Sequence, residues 1–114
     1  MFDDYFKNLK RSAIVITPKQ PFFDWLLLHD PKMAIDDEMK EGEVYLLPDY
    51  ETKKGMEHWL KKNFDELFEE QLNNWYVDET MWPQNRTFRM FNQWFHYSLH
   101  TMISDTQKGF IEKN

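Results

Sequence analysis

The stretch Asn85–Ser104, NRTFRMFNQWFHYSLHTMIS, constrains the fold more than any other part of the chain. On a helical wheel of about 100° per residue, Phe88, Phe91, Phe95, Leu99 and Met102 fall on one face. Arg89, Gln93, His96 and His100 fall together on a flank, in a sector of roughly 60°. The spacing predicts one amphipathic helix over 85–104, with an aromatic core face and a nitrogen-rich stripe beside it. A helix of that kind has to be packed against another apolar layer.

The rest of the chain supplies such a layer. Ser12–Thr17, a β-branched apolar run ending at Pro18, reads as a buried strand. Phe22–His29 reads as a short helix with Pro21 in its first turn, and Pro31 forbids its continuation. Met33–Glu41 is acidic and reads as loop or a loose turn of helix; it lacks the spaced oxygens and central glycine of a calcium loop. Glu43–Leu47, between Gly42 and Pro48, reads as a second strand. About 25 residues separate the two strands, so a right-handed βαβ crossover and an antiparallel pair are both open.

Asp49–Trp75 reads as a long helix burying Met56, Leu60, Phe64, Leu67, Gln71 and Trp75, with Lys53, Lys61, Asp65 and Glu69 turned outward. Tyr76–Gln84 is a connection whose Met81-Trp82-Pro83 folds back onto the core. After the 85–104 helix, Gln107-Lys108-Gly109 marks a stop and Phe110-Ile111 a short edge strand. The expected fold is α+β in the order β-α-β-α-α, with a two- or three-stranded sheet against two long amphipathic helices. Residues 1–10 lack caps and are expected to form a poorly fixed arm or extension, with one or two helical turns as the alternative; residues 11–114 are expected to form a single domain.

Composition narrows the function classes. A mean hydropathy of -0.79 alone would suit a poorly ordered chain, but an aromatic fraction of 18% argues for a packed core. A net charge of -6 argues against nucleic acid as a partner. No apolar run approaches the ~18 residues of a membrane span. The start, MFDDYF, lacks the basic and apolar regions of a signal peptide, and the chain has no cysteine. The cytoplasm is the expected location.

The polar constellations can each be read in two ways. His96 and His100, at i and i+4 of one helix, could share a metal, with Asp105, His58 or Glu57 completing the set. The zincin pattern is absent, and packing with hydrogen bonding explains the pair without a metal or any other cofactor. Arg89, His96 and His100, joined by Gln93 and Arg86, could bind a carboxylate or phosphate; intramolecular salt bridges are the competing explanation. Ser98 and His100, two apart on a helix, would point to different faces and form no catalytic pair. Trp25, Trp59, Trp75, Trp82 and Trp94 could line a cleft or fill the core.

Several phrases occur together: Ser12-Ala13-Ile14-Val15, Pro18-Lys19-Gln20-Pro21-Phe22-Phe23-Asp24-Trp25-Leu26, Tyr45-Leu46-Leu47-Pro48, Glu70–Tyr76, Trp82–Phe88 and Trp94–Met102. In these the chain resembles a family of small bacterial proteins from Bacteroides-like organisms and some proteobacteria, some of which carry the label VacJ. The resemblance covers almost everything after residue 10 and implies no activity and no catalytic residue. The outer-membrane lipoprotein properly called VacJ has a lipobox cysteine, and this chain has none. Residues and resemblance together leave two expectations. One is a small cytoplasmic binding or protein-interaction module; the other is a small enzyme acting on an anionic substrate through the Arg/His stripe.

Overall fold

The computed structural model describes residues 7–113. The fold is α+β, with elements in the order β1 (Lys7–Asn8), β2 (Ser12–Pro18), α1 (Gln20–His29), β3 (Glu43–Leu47), α2 (Lys53–Asn73), α3 (Phe88–Trp94), β4 (Phe95–His100) and β5 (Ser104–Asp105). Short 3-10 turns occupy Glu38–Lys40 and Glu79–Met81. Strands β3, β2 and β4 form an antiparallel sheet with β2 at its centre, and β1 pairs with β5 in a separate antiparallel ribbon. The βαβ alternative is thereby excluded.

The largest departure from expectation is the 85–104 helix, which does not exist as one element. It is helical only from Phe88 to Trp94; from Phe95 it becomes a strand. The sequence supports both readings, because Phe91, Phe95 and Leu99 repeat every four residues while Phe95, Tyr97 and Leu99 alternate. Tertiary context decides. The central strand β2 needs a second neighbour for its backbone, and β4 supplies it in the register Ala13↔His100 to Pro18↔Phe95. Thr87 caps α3 at its start by accepting from the Met90 amide at 3.1 Å.

Lys19 closes the other end of α3. Its amide donates to the Trp94 carbonyl (2.8 Å) and its ammonium to the Asn92 carbonyl (3.1 Å), so two of the last carbonyls of α3 are satisfied from the residue that opens α1.

The long helix is realised as Lys53–Asn73, capped by Thr52, whose hydroxyl accepts from the Gly55 amide at 3.1 Å. Met56, Leu60, Leu67 and Gln71 are buried as expected, whereas Trp75 lies beyond the helix end and is 39% exposed. The Phe110-Ile111 edge strand is not formed, and both side chains are exposed. Instead Ser104–Asp105 pairs with Lys7–Asn8, so the end of the expected arm is tied down; Met1–Phe6 lie outside the described residues.

The core is a mesh of aromatic rings between sheet and helices. Phe95 meets Phe22 of α1 at 5.4 Å, Phe68 of α2 at 5.3 Å and Phe91 of α3 at 5.2 Å between ring centroids. Such pairs contribute about 0.5–1.5 kcal/mol each beyond area burial. Buried Ser12 fixes the loop after β3, its hydroxyl accepting from the Tyr50 amide at 3.0 Å.

Glu43, Tyr45 and Gln71 tie β3 to α2. The Gln71 amide donates to the Tyr45 hydroxyl (2.7 Å) and to Glu43 (3.0 Å), and the phenol donates to Glu43 (3.1 Å). Burial, opposed in part by the Gln71 amide and reinforced by the Glu43 charge, pushes the Tyr45 phenol well above its ordinary value of 10.0. The folded state therefore keeps a proton that the unfolded chain releases near pH 10. This stabilisation is complete below that pH and is lost as pH rises through the folded value. Urea unfolding above about pH 10 is expected to show a falling stability, and Tyr45→Phe is expected to make that fall shallower.

Candidate functional site

The five polar residues expected to line one helix flank meet different fates. Arg86 is structural. Its Nε and one terminal nitrogen grip the Asp65 carboxylate at 2.7 and 3.2 Å, that same terminal nitrogen reaches Glu69 at 2.8 Å, and the other donates to the Pro83 carbonyl at 3.0 Å. The guanidinium also lies 5.8 Å from the ring centroids of Phe68 and Trp82. The Asp65 hydrogen bond outweighs burial and holds the guanidinium above its ordinary pKa. The turn that delivers Arg86 depends on Asn85, which adopts a left-handed backbone (φ 56°) that asparagine tolerates. Asp65 and Glu69, expected to face solvent only, are thus the partners of a nearly buried cation.

Arg89 and Gln93 are exposed on α3. His96 and His100 stand on the outward face of β4, where Phe95, Tyr97 and Leu99 point inward. Four strand residues span about 13 Å, against about 6 Å for the same interval on a helix. The two imidazoles therefore cannot share one metal ion. Among the described residues no group of three or more His, Cys, Asp or Glu is placed to hold one. Nor does any hydrogen bond or ion pair among them link Arg89, Gln93 and His96 to one another.

The strand does what a helix would not: it puts Ser98 and His100 on one face. The Ser98 hydroxyl lies 2.9 Å from His100 Nε2, which corrects the expectation that they diverge. They line an open groove of about 570 Å³ together with Lys53 and Glu57 from the start of α2. The Tyr97 phenol, in the same groove, is raised by burial and secondarily by the Glu57 charge. Among the described residues no carboxylate bonds the other nitrogen of His100, so the pair is not a triad.

A second groove, of about 630 Å³, is lined by tryptophans. Trp25 of α1, Trp82 of the connection and Trp94 of α3 line it with Pro21, Leu28 and Pro83, and Asp24, His29 and Met81 complete the lining. The Trp25 indole N–H donates to the Met81 carbonyl at 2.8 Å. His29 Nε2 lies 3.0 Å from the same oxygen, and because a carbonyl only accepts, that nitrogen carries the proton. The Trp82 N–H donates to the Tyr76 carbonyl at 2.7 Å. Trp94 differs, since its N–H has no partner among the described residues. No polar side-chain atom there is both buried and unpaired, so this donor is not wholly buried. Leu28, on the same groove, is 74% exposed.

The tryptophans were visible in the sequence, but not which of the five would converge. The usable signal was the Trp25-Leu26-Leu27-Leu28 run, apolar on more than one side of a helix, beside the Trp82-Pro83 turn. Among the described residues no helix is long and apolar enough to cross a membrane, so this apolar surface is not part of a helical span.

Because Arg86 is nearly buried and its carboxylate partners are about half exposed, Arg86→Gln is expected to cost about 1.5–3 kcal/mol in urea unfolding. Arg89→Gln, on an exposed helix face and without a hydrogen-bond or ion-pair partner among the described residues, is expected to stay within about 0.5 kcal/mol of the parent.

No family model matches the chain, and neither curated proteins nor solved structures give a significant match to it.

Proposed function

We propose that the chain is a cytoplasmic protein-interaction module whose binding face is the groove of Trp25, Trp82 and Trp94. The carrying observation is that these three indoles meet at one open groove, where Trp25 and Trp82 are almost buried and fixed by hydrogen bonds and by Arg86, and Trp94 is more exposed. Trp94, only partly buried, keeps area to lose on binding, and a rigid aromatic side chain of this kind loses little entropy there, which is why such residues dominate interface hot spots. Leu28 adds an exposed aliphatic rim. Kinship with the small bacterial family that the sequence resembles belongs to the same proposal and adds no activity to it.

A random-peptide display selection tests this reading. It is expected to enrich peptides that bind the parent protein and fail to bind Leu28→Glu, a change confined to an exposed side chain. Selection that enriches nothing, or only peptides indifferent to Leu28→Glu, would sink it.

The Ser98–His100 bond favours a second reading, a small enzyme or binder for a carboxylate or phosphate. The nitrogen groups facing the groove are then those of Lys53 and His100 rather than the Arg/His stripe of one helix. On this reading inorganic phosphate raises the melting temperature of the parent and leaves that of His100→Gln unchanged. An equal response of both proteins, or none in the parent, excludes it.

A further inference from the structure

We propose that the free edge of β3 takes an extended segment of a partner protein, alternating basic and apolar residues, as a fourth strand of the sheet. This surface shares no residue with the tryptophan groove and does not depend on the reading of that groove.

Strand β3 has a neighbour on one side only, because the sheet order is β3-β2-β4. Every second residue of an edge strand aims its N–H and C=O away from the sheet. Among the described residues no backbone or side-chain hydrogen bond reaches the backbone of β3 from that side. The usual guards are missing as well. Glu43–Leu47 contains no lysine, proline or glycine, and its pairing with β2 runs without a bulge from Ile16↔Glu43 to Ser12↔Leu47. An extended chain satisfies such groups, whereas the backbone of a helix is already bonded to itself.

The two flanks of the edge set which side chains fit it. On the outward face Val44 and Leu46 are 59% and 48% exposed, and opposite them on β2 stand Val15 and Ala13. An apolar side chain of the added strand covers Val44 or Leu46 as a cross-strand neighbour. On the inward face Glu43 and Tyr45 lie beside Gln71 of α2, and the Glu70 charge acts on the Tyr45 phenol. The phenol and the Gln71 amide both donate to one Glu43 oxygen, and the other oxygen has no partner among the described residues.

Charge decides between occupants. Glu41 and Asp49 flank the strand, and with Glu43 and Glu70 they are exposed and form no ion pair among the described residues. Lys40, next to Glu41, pairs with Asp37. The four carboxylates favour lysine or arginine on the side of the added strand that faces Glu43 and Glu70. They disfavour a second copy of the chain. Antiparallel pairing of β3 with itself about Tyr45 would set Glu41 against Asp49 twice and bring together two chains of net charge -6.

The experiment is a fluorescence-anisotropy titration of the intact protein with labelled synthetic peptides of Val-Lys or Val-Glu repeats, and a Val-Lys control with proline at its central valine. The Val-Lys peptide is expected to bind the parent roughly tenfold more tightly than the Val-Glu peptide, as a few exposed charge pairs allow, and to weaken as salt is raised. The proline control, which lacks a ladder donor, is expected not to saturate. Val44→Lys places a guard on the edge and is expected to lose binding with its thermal transition retained. Glu70→Gln lies off the strand and is expected to weaken the Val-Lys peptide roughly threefold without weakening the Val-Glu peptide. Leu28→Glu is expected to bind as the parent does. Equal binding of the Val-Lys and Val-Glu peptides, saturable binding of neither, undiminished binding of the proline control, or undiminished binding by Val44→Lys or Glu70→Gln would overturn the proposal. Loss of binding in Leu28→Glu would place the peptide in the tryptophan groove and overturn it too. So would a parent that dimerises in sedimentation beside a Val44→Lys variant that does not, since a second copy would then hold the edge.

Discussion

The fold depends on the burial of the Phe95 ring. It is the first residue of β4, and one ring from each of the three helices packs on it. Full burial of such a side chain contributes about 1.5–3 kcal/mol, and removing one commonly costs about 3–5 kcal/mol once the residual cavity is counted. Against a total of roughly 5–15 kcal/mol for a domain, one contact of this size matters. It also explains the backbone. Continuing α3 through Phe95 would leave the second edge of β2 unpaired, with β3 alone on the other, and Ala13, Ile14 and Ile16 there are buried.

How far the sequence revealed the fold follows from which periodicities were unambiguous. The Ser12–Thr17 and Glu43–Leu47 strands lie between turn residues and are only a few residues long, and both formed where expected. The long helix repeated its apolar stripe over many turns and formed with boundaries a few residues shorter. Phe88–His100 was ambiguous because aromatic residues at 88, 91, 95 and 97 satisfy parts of both periods. Only the demand of β2 for a partner on its second edge resolves it, and that demand is invisible from within the segment.

The candidate site was less legible for the same reason. Arg89, Gln93, His96 and His100 shared a flank only on the assumption of one continuous helix. Once the chain changes to a strand, Ser98 joins His100 and the two histidines separate along the strand. Arg86, one of the residues expected to help hold an external carboxylate or phosphate, has internal acceptors instead: Asp65, Glu69 and the Pro83 carbonyl. The tryptophan groove needed three separate elements to meet, so the apolar Trp25–Leu28 run hinted at an apolar surface without disclosing which indoles would share it.

The Met81 carbonyl has a consequence for selectivity. Its oxygen already accepts from Trp25 and His29, which uses both lone pairs. A molecule that brings a hydroxyl or amide donor to that part of the groove finds no vacant acceptor and would give up its water there without replacement, at a cost of about 1–3 kcal/mol. This part of the groove therefore discriminates by withholding an acceptor. A donor on a partner has to reach Asp24, the one carboxylate on the groove, instead.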